Sequence, residues 1–282
     1  MSLRASSRPR HRRAAPALLG GCLLTAGCAL ADASGPQPAA APVAAAEMTA
    51  ADAEPEALLE LPADRPLVAG FVIVDGVYNT ELMAPWDVFQ HVRYHTGARP
   101  AIEVLAISPD GGPVTTAEGL RVLADHGFAD APPIDILVVP SAEGSRDADL
   151  GDEELIRFVH DRGNRARFVV SLCWGSFVLA KANLLDGRAC TTFPGDYQRF
   201  AETFPEARLH VNVSLVHEGR FLTSEGGALS YHAALYLVDL LYGETVATDV
   251  GGGLLIPWPA RPRQFPPAVT DPRMRRQARA LE

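Results

Sequence analysis

A lone cysteine, Cys173, stands between a run of strand formers and a run of helix formers in the stretch FVVSLCWGSFVLAKANLLDG, residues 168–187. A thiol acts as a nucleophile through its thiolate. At a strand-to-helix corner it meets the N–H groups and the positive dipole end of the following helix, which favour that form. Ser171 and Gly175, two before and two after Cys173, have the small side chains that a tight elbow demands. Cys173 is therefore a candidate nucleophile, although cysteine is also among the most buried residue types and can be purely structural. The backbone N–H of Trp174 can serve as an oxyanion donor whatever its side chain. Its indole could fill part of a pocket, cap a flat apolar ligand or pack under a loop.

Other reactive side chains are less pointed. His91 and His95 share a helix face at i, i+4, a spacing that suits a metal, but no third ligand lies near in sequence and no metal site is expected. His210, His217 and His232 follow the cysteine, which raises a Cys-His-Asp hydrolase. That arrangement places its histidine on a late loop, whereas His217 falls in a predicted hairpin turn and His232 in a predicted helix. Cys173 and Cys190 could form a disulfide in an exported domain only if their Cβ atoms lay within about 4 Å of each other.

The elements that must position Cys173 alternate along the chain. PLVAGFVIVDG (66–76) is a buried-strand run, and ELMAPWDVFQHVRYH (81–95) carries helical spacing, with Pro85 expected in the first turn. AIEVLAIS (101–108) is a strand, and residues 113–128 suggest short strands or a hairpin. IDILVVP (134–140) is apolar enough to be central in a parallel sheet. A helix follows from Asp152 to about Arg162, its acids at the end where the helix dipole favours them. ARFVVSL (166–172) is the next strand, and its helix is expected from Gly175 to Leu185. A hairpin over 210–224, turning at His217–Gly219, and a helix over 228–243 complete the pattern. The order implies an α/β three-layer sandwich, flavodoxin-like, with helices on both faces of a mostly parallel sheet. In such sheets ligands sit at the carboxyl ends of the strands, where Cys173 falls.

Four collinear segments make a resemblance specific. SLCWGSFVLAKANLLDGRACTTFPGD is similar to the nucleophile region of the ThiJ/PfpI superfamily, FVIVDGVYNTELMAPWDVFQ to its first strand and helix, DILVVPSAEGS to its strand before the oxyanion loop, and GRFLTSEGGALSYHAALYLVDLLYG to its late hairpin and helix. The resemblance covers about residues 66–250 and implies a class I glutamine amidotransferase-like fold. It makes Cys173 the reactive cysteine. Glu81 becomes the acid that reaches it from the adjacent strand, either donating to the thiolate when protonated or relaying a proton; the plain alternative is a first-turn helix acid. With Trp174 and Gly175, the resemblance assigns Ala142 and Glu143 to the oxyanion loop and pocket, where many relatives have adjacent glycines. Phe193 stands where many relatives carry a histidine, so no histidine base carries over. The resemblance also implies dimerisation in many members, and the aromatic and leucine residues of the late helix could serve an interface or the core.

The two ends differ from this middle. Arg4, Arg8, Arg10, Arg12 and Arg13 precede an uncharged run, Ala14–Gly27, ending in Thr25-Ala26-Gly27-Cys28. This reads as a signal over 1–27, too short for a membrane span, and it resembles a bacterial lipoprotein signal that would be lipidated on Cys28. An ordinary signal peptide is the alternative, and Cys22 offers a competing site. Residues 28–64 read as an Ala/Pro/acidic disordered linker with a helix turn or two possible over Glu54–Leu61, residues 65–256 as the domain, and residues 257–282 as a Pro/Arg-rich tail. Cleavage before Cys28 leaves 20 basic against 34 acidic residues, a balance of −14. Such charge repels phosphate backbones and argues against nucleic acid as a partner.

The expected function is an exported, membrane-anchored envelope protein whose Cys173 adds, without a cofactor, to a small-molecule electrophile. A cysteine-dependent hydratase, hydrolase or glyoxalase-like enzyme fits that chemistry. The alternative from another class is a non-catalytic small-ligand-binding or oxidation-sensing module.

Overall fold

The computed structural model describes residues 58–97, 101–259 and 268–273; the expected signal, Cys28 and most of the linker lie outside them. The first strand, β1 (Leu67–Val72), is followed by helix α1 (Asn79–His91). Next come β2 (Ile102–Ser108), β3 (Val114–Thr115), β4 (Arg121–Val122), β5 (His126–Gly127) and β6 (Ile136–Val139). Helix α2 (Glu153–Arg165), β7 (Phe168–Leu172) and helix α3 (Gly175–Lys181) bracket the cysteine. They are followed by β8 (Ala189–Cys190), α4 (Tyr197–Thr203), β9 (Arg208–Leu209), β10 (Leu215–Glu218) and β11 (Phe221–Ser224). Helices α5 (Leu229–Tyr242) and α6 (Glu244–Gly253) and a short β12 (Ala268–Val269) complete the order.

Among the described residues, eight strands form one sheet in the order β12-β10-β11-β7-β6-β1-β2-β5, parallel except for the β10–β11 hairpin. Successive side chains of a strand point to opposite faces, and both faces here are covered. Phe71, Ile136, Val138, Phe168 and Val170 pack into one core with α1, α5 and α6. Val72, Leu137, Val139 and Val169 pack into a second with α2, α3 and Phe200 of α4. The continuous apolar runs seen in the sequence therefore reflect burial on both faces.

Several boundaries differ from expectation, each for a local reason. Helix α1 begins two residues early, so Pro85 lies inside it; lacking an N–H, Pro85 cannot bond the Glu81 carbonyl four residues back. Helix α3 stops at Lys181 rather than Leu185 because Asn183 turns left-handed at φ 57. The hairpin turns at Gly219 (φ 59) and Arg220, which places His217 in the strand. The packed domain extends past both expected limits. Leu58 and Leu59 are buried in the first core, β12 pairs with β10, and buried Asp271 accepts a bond from the Gly219 N–H at 3.2 Å.

The start of β1 is pinned by Asp135, just before β6. Its carboxylate accepts two bonds from Arg65, at 2.6 and 3.0 Å, and one from the Val68 N–H at 2.8 Å. Burial would raise this carboxyl, but Arg65 and the Val68 N–H outweigh burial and hold it below the usual range. A depressed carboxyl contributes stability above its unfolded-state pKa, near 3.9, and loses that contribution as pH falls through the lower folded-state value. Asp135→Ala, which strands the Val68 N–H, is expected to cost about 1–3 kcal/mol in urea unfolding at pH 7, with the difference from the wild type shrinking in acid.

Candidate active site

Strand β7 ends at Leu172, and Cys173 turns the chain with φ 55, a left-handed conformation that costs a non-glycine residue about 1–3 kcal/mol. Three hydrogen bonds hold the turn: the Cys173 N–H donates to Ser224 O at 2.9 Å, and its carbonyl accepts from Ser176 Oγ at 3.0 Å and Thr192 Oγ1 at 3.2 Å. Two glycines let the backbone pack against it. A Cβ on Gly226 would lie 2.3 Å from Cys173 Cβ, and one on Gly175 would lie 2.0 Å from Val139 O.

The thiol is buried, with 6% of its surface exposed. Burial first, then the charge of Glu81, raise its pKa to about 12; the Ser141 hydroxyl and the Trp174 N–H pull the other way, and Asp196 adds a smaller rise. The expectation of a resting thiolate is therefore corrected: at neutral pH the sulfur carries its proton. The dipole of α3, a helix of 7 residues, and the donors near the sulfur do not offset the lost hydration. Glu81 is also buried and lies in the first turn of α1. Its Oε1 accepts the Gly227 N–H at 3.0 Å, across 146 positions of sequence, which ties α1 to the loop that passes Cys173.

The loop after β6 is laid along the entry to α1. Val77 and Ala142 form an antiparallel bridge, and the Tyr78 N–H donates to Ser141 O at 3.0 Å. The expected oxyanion donors in this loop are already engaged: the Ala142 N–H donates to Ser145 Oγ at 2.8 Å and the Glu143 N–H to Gly76 O at 2.9 Å. Neither is offered to a substrate. The Trp174 N–H acts directly on the sulfur, and the exposed Glu143 side chain stands beside Gly76 on the rim.

Trp174 is half-buried and fixed in one orientation. Its indole N–H donates to Asp196 Oδ2 at 2.7 Å, and the Arg146 guanidinium lies 3.9 Å above the ring while pairing with Asp196 Oδ1 at 2.8 Å. Tyr78 and Phe193 meet the ring edge-on, with centroids 5.7 and 5.8 Å away. Phe193, 40% exposed, closes the outer side of this aromatic row. The indole is thus a rigid wall beside the thiol.

Sequence reading missed Tyr78, Arg146, Asp196 and Ser141. Tyr78 alone carried a local signal, three residues before Glu81 at the start of α1; the others are assembled by loops distant in sequence. His217 is satisfied in the core, its Nδ1 accepting from the Tyr236 hydroxyl at 2.8 Å and its Nε2–H donating to Gly219 O at 2.7 Å. That leaves no lone pair for a thiol and removes it as a triad base. The His91 Nδ1 turns to the Asp87 carbonyl at 2.8 Å. Cys173 and Cys190 are both free thiols.

Residues 68–239 match the DJ-1/PfpI family. The chain is 29% identical to isonitrile hydratase of Pseudomonas putida over 222 residues, covering 77% of this chain and 92% of that protein. It is 25% identical over 185 residues to the HTH-type transcriptional regulator GbdR of Pseudomonas aeruginosa, covering 66% of this chain and 49% of the regulator. Among solved structures, a THiJ/PfpI family protein from Pseudomonas syringae superposes with a TM-score of 0.61 at 21% identity, covering 78% of this chain and 84% of that one. Drosophila melanogaster DJ-1beta gives 0.56 at 21% identity, with coverage of 68% and 100%. The expected α/β architecture with a mostly parallel sheet is the fold these structures share.

The raised thiol makes opposite demands on two assays. Glu81→Gln removes a like charge, so the Cys173 pKa should fall and alkylation by iodoacetamide at pH 8 should accelerate, roughly tenfold for each unit of the fall. A wild-type alkylation rate that levels off near the ordinary cysteine value of about 8.5 would contradict the buried, protonated thiol.

Proposed function

The chain belongs to the DJ-1/PfpI family, and from that premise we propose that Cys173 catalyses the cofactor-free addition of water to a small uncharged electrophile, with an isonitrile as the leading substrate class. The observation that carries this reading is the buried pair of Cys173 and Glu81, in which the sulfur rests as S–H beside a carboxyl.

A protonated thiol suits an electrophile whose carbon must gain both a hydrogen and a nucleophile. The terminal carbon of an isonitrile, R–N≡C, is such a centre. Glu81 takes the thiol proton and delivers it to that carbon as the S–C bond forms, giving the thioimidate R–N=CH–S. Water then adds to the same carbon, the nitrogen gains a proton, and breaking the C–S bond returns Cys173 as S–H and releases the formamide R–NH–CHO. One water is consumed and no electrons are exchanged. The rigid indole of Trp174 and the ring of Phe193 suit an apolar R group, while Glu81 and Glu143 disfavour a substrate that carries a carboxylate.

The full chain should convert benzyl isonitrile to N-benzylformamide, followed by mass spectrometry. Cys173→Ser should abolish turnover, and Glu81→Gln should reduce it at least 100-fold, as expected for loss of a proton-transfer group, even though it speeds alkylation. Wild-type protein that binds the isonitrile without turning it over would replace the enzymatic reading with a second one. In that reading the domain is a non-catalytic ligand-binding or oxidation-sensing module, favoured by the thiol's rise to about 12.

We further propose that the domain is exported and held at a membrane through a lipid on Cys28, supported by the arginine-rich start and the small residues before that cysteine. On expression in a bacterial host the wild type should fractionate with membranes and Cys28→Ser should not; equal fractionation of the two would rule out the lipid.

A further inference from the structure

The phenol of Tyr78 has no role in the proposed hydration, yet three observations tie this residue to the site. Its backbone N–H is bonded to Ser141 O at 3.0 Å, opposite the residue whose hydroxyl acts on the sulfur. Its ring packs edge-on against Trp174, the residue after the nucleophile. It begins the turn that carries Glu81 three residues later. The charged and titratable groups around its hydroxyl are Glu143, Cys173, Glu81 and, opposing them, Arg146. Lost hydration disfavours a phenolate first, and three anionic or potentially anionic neighbours against one cation add to that effect, so the pKa of the group is raised from its ordinary value. A hydroxyl kept protonated on a ring that packs against the residue next to the nucleophile is a donor.

We propose that Tyr78 is the acid of the hydration step, giving its proton to the substrate heteroatom as water adds to the sulfur-bound carbon. This deepens the hydratase reading and rests on it. As the water oxygen bonds to carbon, the C=N pair moves to nitrogen and the nitrogen takes the phenol proton. The phenolate recovers a proton from the same water, and the second water proton goes to sulfur as the C–S bond breaks. Water therefore supplies both protons, and Tyr78 ends the cycle as it began. The Trp174 N–H can stabilise charge near sulfur, but it has no proton to give away. Of the acidic side chains around the thiol, Glu81 is occupied by the first step and Asp196 is held as an acceptor by the Trp174 indole N–H and Arg146, which leaves the Tyr78 phenol for the second.

Tyr78→Phe keeps the ring and removes the donor. With benzyl isonitrile, kcat is expected to fall about 100-fold with KM within about twofold, and the thioimidate on Cys173 should accumulate as a mass increase equal to the isonitrile. Alkylation of Cys173 by iodoacetamide, which needs no proton donor, should not slow. A second readout is independent of turnover: the phenol absorbance that Tyr78→Phe removes should titrate above the ordinary tyrosine value of about 10, and Glu143→Gln, which removes a neighbouring negative charge, should lower that titration. Wild-type turnover that dies with Cys173→Ser but persists in Tyr78→Phe, or a phenol that titrates ordinarily and ignores Glu143, overturns the assignment of Tyr78 alone. Wild-type protein without turnover overturns the hydratase reading and this one with it.

Discussion

A non-glycine residue held left-handed at the end of the central strand is the constraint around which the site is built. Cys173 gives up about 1–3 kcal/mol of backbone preference, and each of its three retaining hydrogen bonds returns about 0.5–1.5 kcal/mol. Those bonds come from β11, from the first turn of α3 and from the segment after β8. The sheet must therefore be assembled before the corner can exist. β11 lies parallel beside β7, and that pairing brings Ser224 and Gly226 against the cysteine.

Burial then sets the chemistry. Taking the thiol out of water favours S–H over S⁻, and the nearby Glu81 charge reinforces that preference. A site of this kind does not resemble the exposed, electropositive surroundings of a cysteine kept ready as thiolate. It suits a reaction in which the sulfur's own proton is part of the stoichiometry, which is why an electrophile that takes up a proton and a nucleophile at one carbon is the leading class.

Around the sulfur, loops replace features the sequence led one to expect. The Glu143 amide fastens the loop after β6 to Gly76 just ahead of α1, and the Ala142 amide turns back onto Ser145 within the loop; together they stiffen the wall that carries Tyr78. Trp174 is neither a free lid nor a plug, because Asp196 and Arg146 hold it by its N–H and its face. An apolar row of Tyr78, Trp174 and Phe193 thus borders a polar floor of Cys173, Ser141 and Glu81.

From the sequence alone, the parallel-sheet architecture, the corner cysteine and the acid of the first helix were all legible. Strand runs, helix periodicity and a small-residue elbow are local patterns, and local patterns survive in a linear string. Two-residue strands such as β8 and β9, the glycine-rich α6 and the strand at Ala268 carry too little periodicity to be read that way. The protonation of Cys173, the loss of the loop amides, the orientation of Trp174 and the setting of Tyr78 were decided by the tertiary structure. Each depends on through-space partners: Asp196 lies 22 positions from Trp174 and 50 from Arg146, and Gly227 lies 146 from Glu81. Desolvation and charge proximity are properties of that assembly, and they arise only when the chain has brought those residues together.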